Sequence, residues 1–102
     1  MGKVLVLSRG TGQAKEFKNA IEKYTKEKGI LFDAIFSNEE QMNNYIKNEE
    51  INVVLISPEM MLVEEQIKIE LEKNELPYIS LKPVDFGLKR IEKVMPLINK
   101  YL

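Results

Sequence analysis

Ser8 closes an apolar run, Val4-Leu5-Val6-Leu7, and is followed by Arg9, Gly10, Thr11, Gly12, Gln13 and Ala14. An apolar run, two glycines one residue apart and then a helix-type pattern spell a strand, a turn and a helix N-terminus. Amides freed by the glycines, the Thr11 hydroxyl and the helix dipole all favour an anion there. The same glycines equally suit a tight turn that needs only their dihedral freedom. Ser8 occupies the strand end, where such folds often place the reacting atom. The chain contains no cysteine and no histidine. Disulfides, thiol chemistry, the usual zinc sites and the commonest general base are therefore excluded. Any catalysis falls to Ser, Thr, Tyr, Lys, Asp and Glu.

The elements that must position this loop are legible as periodicities. Residues 3–8 read as a buried strand with β-branched Val4 and Val6. Ala14, Phe17, Ala20, Ile21 and Tyr24 fall at helical spacing, and Gly29 follows as a C-cap. Residues 30–36 predict a second strand. Ser37 or Asn38 then caps a helix carrying Met42, Tyr45 and Ile46, with Glu40 as the reciprocal capping partner. Residues 52–56 predict a third strand, closed by Ser57-Pro58. A third helix runs from Met60 to Asn74 with Met60, Val63, Ile67 and Leu71 inward. Residues 77–81 predict a fourth strand and 82–87 a loop. The last helix uses Leu88, Ile91, Val94, Met95, Ile98 and Tyr101, and Pro96 inside it predicts a kink or a break.

Strict β-α-β-α-β-α-β-α alternation argues for an α/β fold: a four-stranded parallel open sheet with helices on both faces. A 2-1-3-4 order sets the switch point between strands 1 and 3, where ligands bind at the carboxyl ends. That brings 8–14 beside 57–59, with 82–87 nearby. At 102 residues the chain is expected to be one domain, residues 1–102. The formal net charge of -1 favours neither nucleic acid nor a membrane surface as partner. The apolar runs are too short to span a bilayer, and the run after Lys3 stops too soon for a signal peptide, so a cytoplasmic location is expected.

Spacing tests the named alternatives. A dinucleotide fingerprint needs glycine at Lys15 and an acidic residue ending strand 2, whereas Asp33 sits mid-strand. Gly-Lys-Ser/Thr is missing, so there is no Walker A loop. A receiver domain needs an aspartate where strand 3 ends in Ile56-Ser57, and a low-molecular-weight tyrosine phosphatase needs cysteine and arginine at Ser8 and Ala14. A flavodoxin-type loop is closer, through Thr11-Gly12-Gln13-Ala14, but four strands leave little room for a flavin.

Residues 4–21, VLVLSRGTGQAKEFKNAI, align without a gap with the start of enzyme IIB of the lactose/cellobiose class of the bacterial sugar phosphotransferase system. The chain resembles this family in three places. Its members have a phosphorylated cysteine at the position of Ser8, and Gly10, Gly12, Asn19, Ala20 and Ile21 coincide. A Gly/Ala-Pro-Gln turn after strand 3 matches Ser57-Pro58-Glu59. An Asp-Tyr-Gly and a later Glu-Lys-Val match Asp85-Phe86-Gly87 and Glu92-Lys93-Val94.

The resemblance implies a phosphocarrier. A cysteine at position 8 takes a phosphoryl group from a histidine of a IIA partner and passes it to a sugar bound by the membrane IIC component. It implies no cofactor and no metal. Residues 9–14 would hold the phosphoryl oxygens, Arg9 would add charge or point to solvent, and Pro58, Glu59 and Asp85 would lie on neighbouring loops. Asp85 serves equally as a turn former. Met60 and Met61 read as a docking patch or as core and helix-start residues, and the charges from Glu22 to Lys28 as a solvated face.

Three departures bear on this. A serine hydroxyl is protonated at neutral pH, and no histidine exists to activate it, so the chain as written is expected not to complete the relay. Either a cysteine has been replaced deliberately, or a natural chain has lost its carrier residue; the intact loop favours the first. Without the relay, a IIB-like regulatory or binding module remains. Glu59 stands for the usual glutamine and Met61 for a frequent arginine, which alters the partner surface.

Overall fold

The computed structural model of the chain describes residues 2–102. In chain order the elements are β1 (Gly2–Leu7), α1 (Gly12–Lys28), β2 (Phe32–Ser37), α2 (Met42–Asn48), β3 (Val53–Ile56), a 3-10 turn (Pro58–Val63), α3 (Glu64–Lys73), β4 (Tyr78–Ser80), α4 (Pro83–Gly87) and α5 (Ile91–Asn99). The four strands form one sheet in the order β2-β1-β3-β4, parallel throughout. β2 is paired on one side only, and Asp33 within it is exposed.

Both faces of the sheet are covered, which explains the unbroken apolar runs of β1 and β3. Side chains alternate along a strand. Val4 and Val6 therefore join Phe17, Ile21, Phe86 and Val94 in one core layer. Leu5 and Leu7 join Met42, Met60, Ile67 and Leu71 in the other. The register aligns the carboxyl ends on one rim: Leu7 pairs with Ser37 on one side and Ile56 on the other, and Ile56 with Ser80. β1 thus delivers residue 8 between the ends of β2 and β3.

α1 is the longest helix and follows its sequence signals. The Thr11 hydroxyl accepts from the Ala14 N–H at 3.2 Å, and Gly29 ends the helix at φ 66. Other boundaries differ from the sequence reading. Segment 82–87 is not a loop: Pro83 opens a helical turn, the Phe86 N–H donates to the Lys82 carbonyl at 3.0 Å, and Phe86 is buried with its ring 5.1 Å from that of Phe17. This packing stabilises a helix too short to form by itself. α3 begins at Glu64 rather than Met60, because Pro58 starts a 3-10 turn that seats Met60 in the core. α2 begins at Met42; Asn38 Oδ1 accepts from the Gln41 N–H at 3.0 Å in the turn before it, Ser37 ends β2, and Glu40 is exposed. Leu88 lies outside α5 and is exposed. α5 runs through Pro96 without a break. Pro96 and Glu92 both face solvent, where water can satisfy the carbonyl that proline leaves unpartnered.

Candidate functional site

Ser8 is the first residue past β1 and is 5 % exposed. Its N–H donates to the Ser37 carbonyl at 2.9 Å, continuing the β1–β2 ladder one residue beyond the strand. It opens, with Arg9 and Gly10, onto a cleft of about 380 Å³ whose other wall is residues 36–40, Phe36 to Glu40. The chain then turns away from the sheet through Gly10 at φ 70. Nothing stands within 4 Å of a Cβ built there, so the backbone angle, not crowding, is what calls for glycine.

On both sides of Gly10 the loop is held by carboxylates. The Arg9 N–H donates to Glu59 Oε1 at 2.7 Å, and the Thr11 hydroxyl donates to Glu59 Oε2. Thr11 thus accepts from Ala14 and donates to Glu59 with one oxygen. The Arg9 guanidinium pairs with Glu39 Oε1 across the cleft. Both acids come from rim loops that flank β1: Glu39 follows β2 and Glu59 lies in the turn after β3. Each of these loops also holds a buried polar atom with no protein partner, Glu39 Oε2 and Ser57 Oγ.

The remaining sequence-selected residues divide. Gly12 is exposed at the start of α1, and Ala14 is buried in the core beneath it. The Gln13 side chain lies over Gly87, with Nε2 3.4 Å from where a Cβ would stand, so α4 does approach the loop. Pro58 starts the 3-10 turn that carries Glu59. Asp85 lines a different cleft from Ser8, with Lys82, Arg90 and Lys93. Glu39 was not singled out from the sequence. Its position two residues past the end of β2 was the available signal, because the 2-1-3-4 order puts that strand end next to Ser8.

The Arg9 amide, the Arg9 guanidinium and the Thr11 hydroxyl, donors on the loop between Ser8 and α1, are each paired with a rim carboxylate. Among the described residues, no cluster of three or more Asp or Glu is placed to hold a metal, and no helix is long and apolar enough to cross a membrane. Away from this rim, the Tyr78 hydroxyl donates to Glu72 Oε1 at 2.9 Å, and that bond raises the phenol above its ordinary value of 10.0.

No family model matches the chain, and no curated protein sequence matches it. Solved structures do. The cellobiose-specific phosphotransferase IIB component of Borrelia burgdorferi superposes with a TM-score of 0.79 at 20% identity, over 98% of this chain and 90% of that one. The lactose-specific IIB component domain of the Streptococcus pneumoniae phosphoenolpyruvate:carbohydrate phosphotransferase system gives 0.75 at 14% identity, over 98% and 96%. At these identities the likeness is one of fold, and it spans nearly the whole chain.

Proposed function

We propose that the chain is a IIB-type phosphocarrier domain of the sugar phosphotransferase system, with residue 8 at the phosphoacceptor position. The observation that carries this reading is the position of Ser8: at the end of β1, between two flanking strand ends, and at the start of the glycine-containing loop that leads into the N-terminus of α1. The fold shared with two IIB components supports it. In this reading the donor is a phosphohistidine on a IIA protein, and the acceptor is a sugar presented by the membrane IIC component. The domain works in the cytoplasm without a cofactor.

With cysteine at residue 8, the chemistry is balanced and simple. The thiolate attacks phosphorus, the S–P bond forms, the P–N bond of phosphohistidine breaks, and the imidazole takes up a proton. A thiolate beside a helix N-terminus is stabilised for this role. The Ser8 hydroxyl stays protonated at neutral pH, and its phosphoester would be a poor donor. Ser8→Cys, incubated with a phosphorylated IIA of the lactose/cellobiose class, is expected to gain one labile phosphoryl group by intact-protein mass spectrometry, while the Ser8 chain gains none. If Ser8→Cys also stays unmodified, the carrier reading is wrong. A second reading, a IIB-like docking module that relays nothing, is favoured by one observation: the Arg9 amide and the Thr11 hydroxyl are already taken by Glu59.

A further inference from the structure

The loop that the carrier reading assigns to a phosphoryl group is closed by the chain's own carboxylate. Glu59 offers one oxygen to the Arg9 amide and the other to the Thr11 hydroxyl. Both donors lie on the short loop between residue 8 and α1. The Arg9 guanidinium, the nearest full positive charge, is drawn instead to Glu39 on the opposite rim loop. Two carboxylates from the two sides of β1 therefore occupy the Arg9 amide, the Arg9 guanidinium and the Thr11 hydroxyl, three of the groups that an incoming anion would use.

We infer that Glu59 is an internal anion gate: a phosphoryl group or free phosphate binds the loop only after displacing this carboxylate. The inference rests on the loop being the anion site of the proposed carrier, and it names how that site is regulated. The gate is able to open, because Glu59 sits on the short 3-10 turn after Pro58 and both of its bonds are at exposed groups. Opening has a cost, since hydrogen bonds to an ionised acceptor are stronger than neutral ones. A displaced carboxylate left beside the anion would also repel it. A partner that engages Glu59 would release the loop, so transfer would be confined to the docked complex.

The test uses the Ser8 chain itself, so it does not depend on phosphoryl transfer. Amide resonances of residues 9–14 are followed by NMR while inorganic phosphate is added. Glu59→Gln leaves one acceptor in place but cannot accept from Thr11 with its amide nitrogen; Glu59→Ala removes both acceptors. Both variants are expected to reach half-saturation at roughly ten-fold lower phosphate than the unsubstituted chain, as loss of one or two charge-assisted bonds requires. A purely structural Glu59 would instead loosen the loop and weaken binding. Half-saturation within about two-fold of the unsubstituted chain in both variants, weaker binding, or no phosphate response in any of the three proteins each overturns the gate. Phosphoryl uptake by Ser8→Cys judges the carrier reading separately: tighter phosphate binding in the Glu59 variants with no uptake by Ser8→Cys leaves the gate standing and removes the carrier.

Discussion

Thr11 does two things with one hydroxyl: it caps α1 by accepting from Ala14 and it ties the loop to Glu59. Thr11→Ala removes both, while Thr11→Ser keeps the chemistry. We expect Thr11→Ala to lower stability by about 1 kcal/mol, the usual cost of a lost N-cap, and Thr11→Ser to change it little, as read from urea unfolding midpoints. Equal loss in both would show that the methyl group, not the oxygen, matters. At this scale the sequence was informative wherever contacts are local. Ser8, Arg9 and Thr11 fall in one short strand-loop-helix grammar, and that grammar is what the structure contains. Glu39 and Glu59 were harder, because their contacts with Arg9 span 30 and 50 residues of chain and depend on which strands neighbour β1. The 2-1-3-4 order already set residues 57–59 beside the loop, but not which donors Glu59 would accept from.

The strands and α1 were legible because their signals are strong: continuous apolar runs buried on both faces, a threonine cap and a glycine stop. α4 was illegible for the opposite reason. Its five residues, PVDFG, carry a proline, a β-branched valine and a glycine, and no local propensity favours helix there. What holds it is Phe86, buried against Phe17. Phe86→Ala is therefore expected to cost about 3–5 kcal/mol, as for other buried aromatic deletions, and to release residues 83–87 in hydrogen exchange ahead of α1. If α1 and α4 lose protection together, α4 is not a separately anchored element. Pro96 illustrates a related limit. A proline in a helical pattern reads as a break, yet its cost depends on whether the freed carbonyl faces water, and burial is a tertiary property.

For the whole molecule, alternation of strands and helices was enough to give sheet order and parallel sense, since few topologies satisfy short right-handed connections. The same arrangement separates labour: the rim at the carboxyl ends gathers Ser8, the glycine turn and the flanking acids, while the sheet beneath is apolar on both faces. It also leaves one border to manage. β2 is six residues long, is paired only with β1, and carries Phe32, Ala34, Ile35 and Phe36. An unpaired strand edge of this kind is a template for another copy of itself. β4, the other outer strand, is only three residues long and offers little to pair with. Asp33, exposed near the start of β2, sets a charge on the sheet face beside the edge that a second β2 would join. Asp33→Val would remove that charge and raise β propensity at once. The variant is expected to self-associate with rising concentration in sedimentation velocity, while the unsubstituted chain sediments unchanged over the same range. A variant that stays monomeric would put the protection elsewhere. On this view a residue remote from the loop that follows Ser8 keeps the molecule from pairing with a copy of itself through its own backbone.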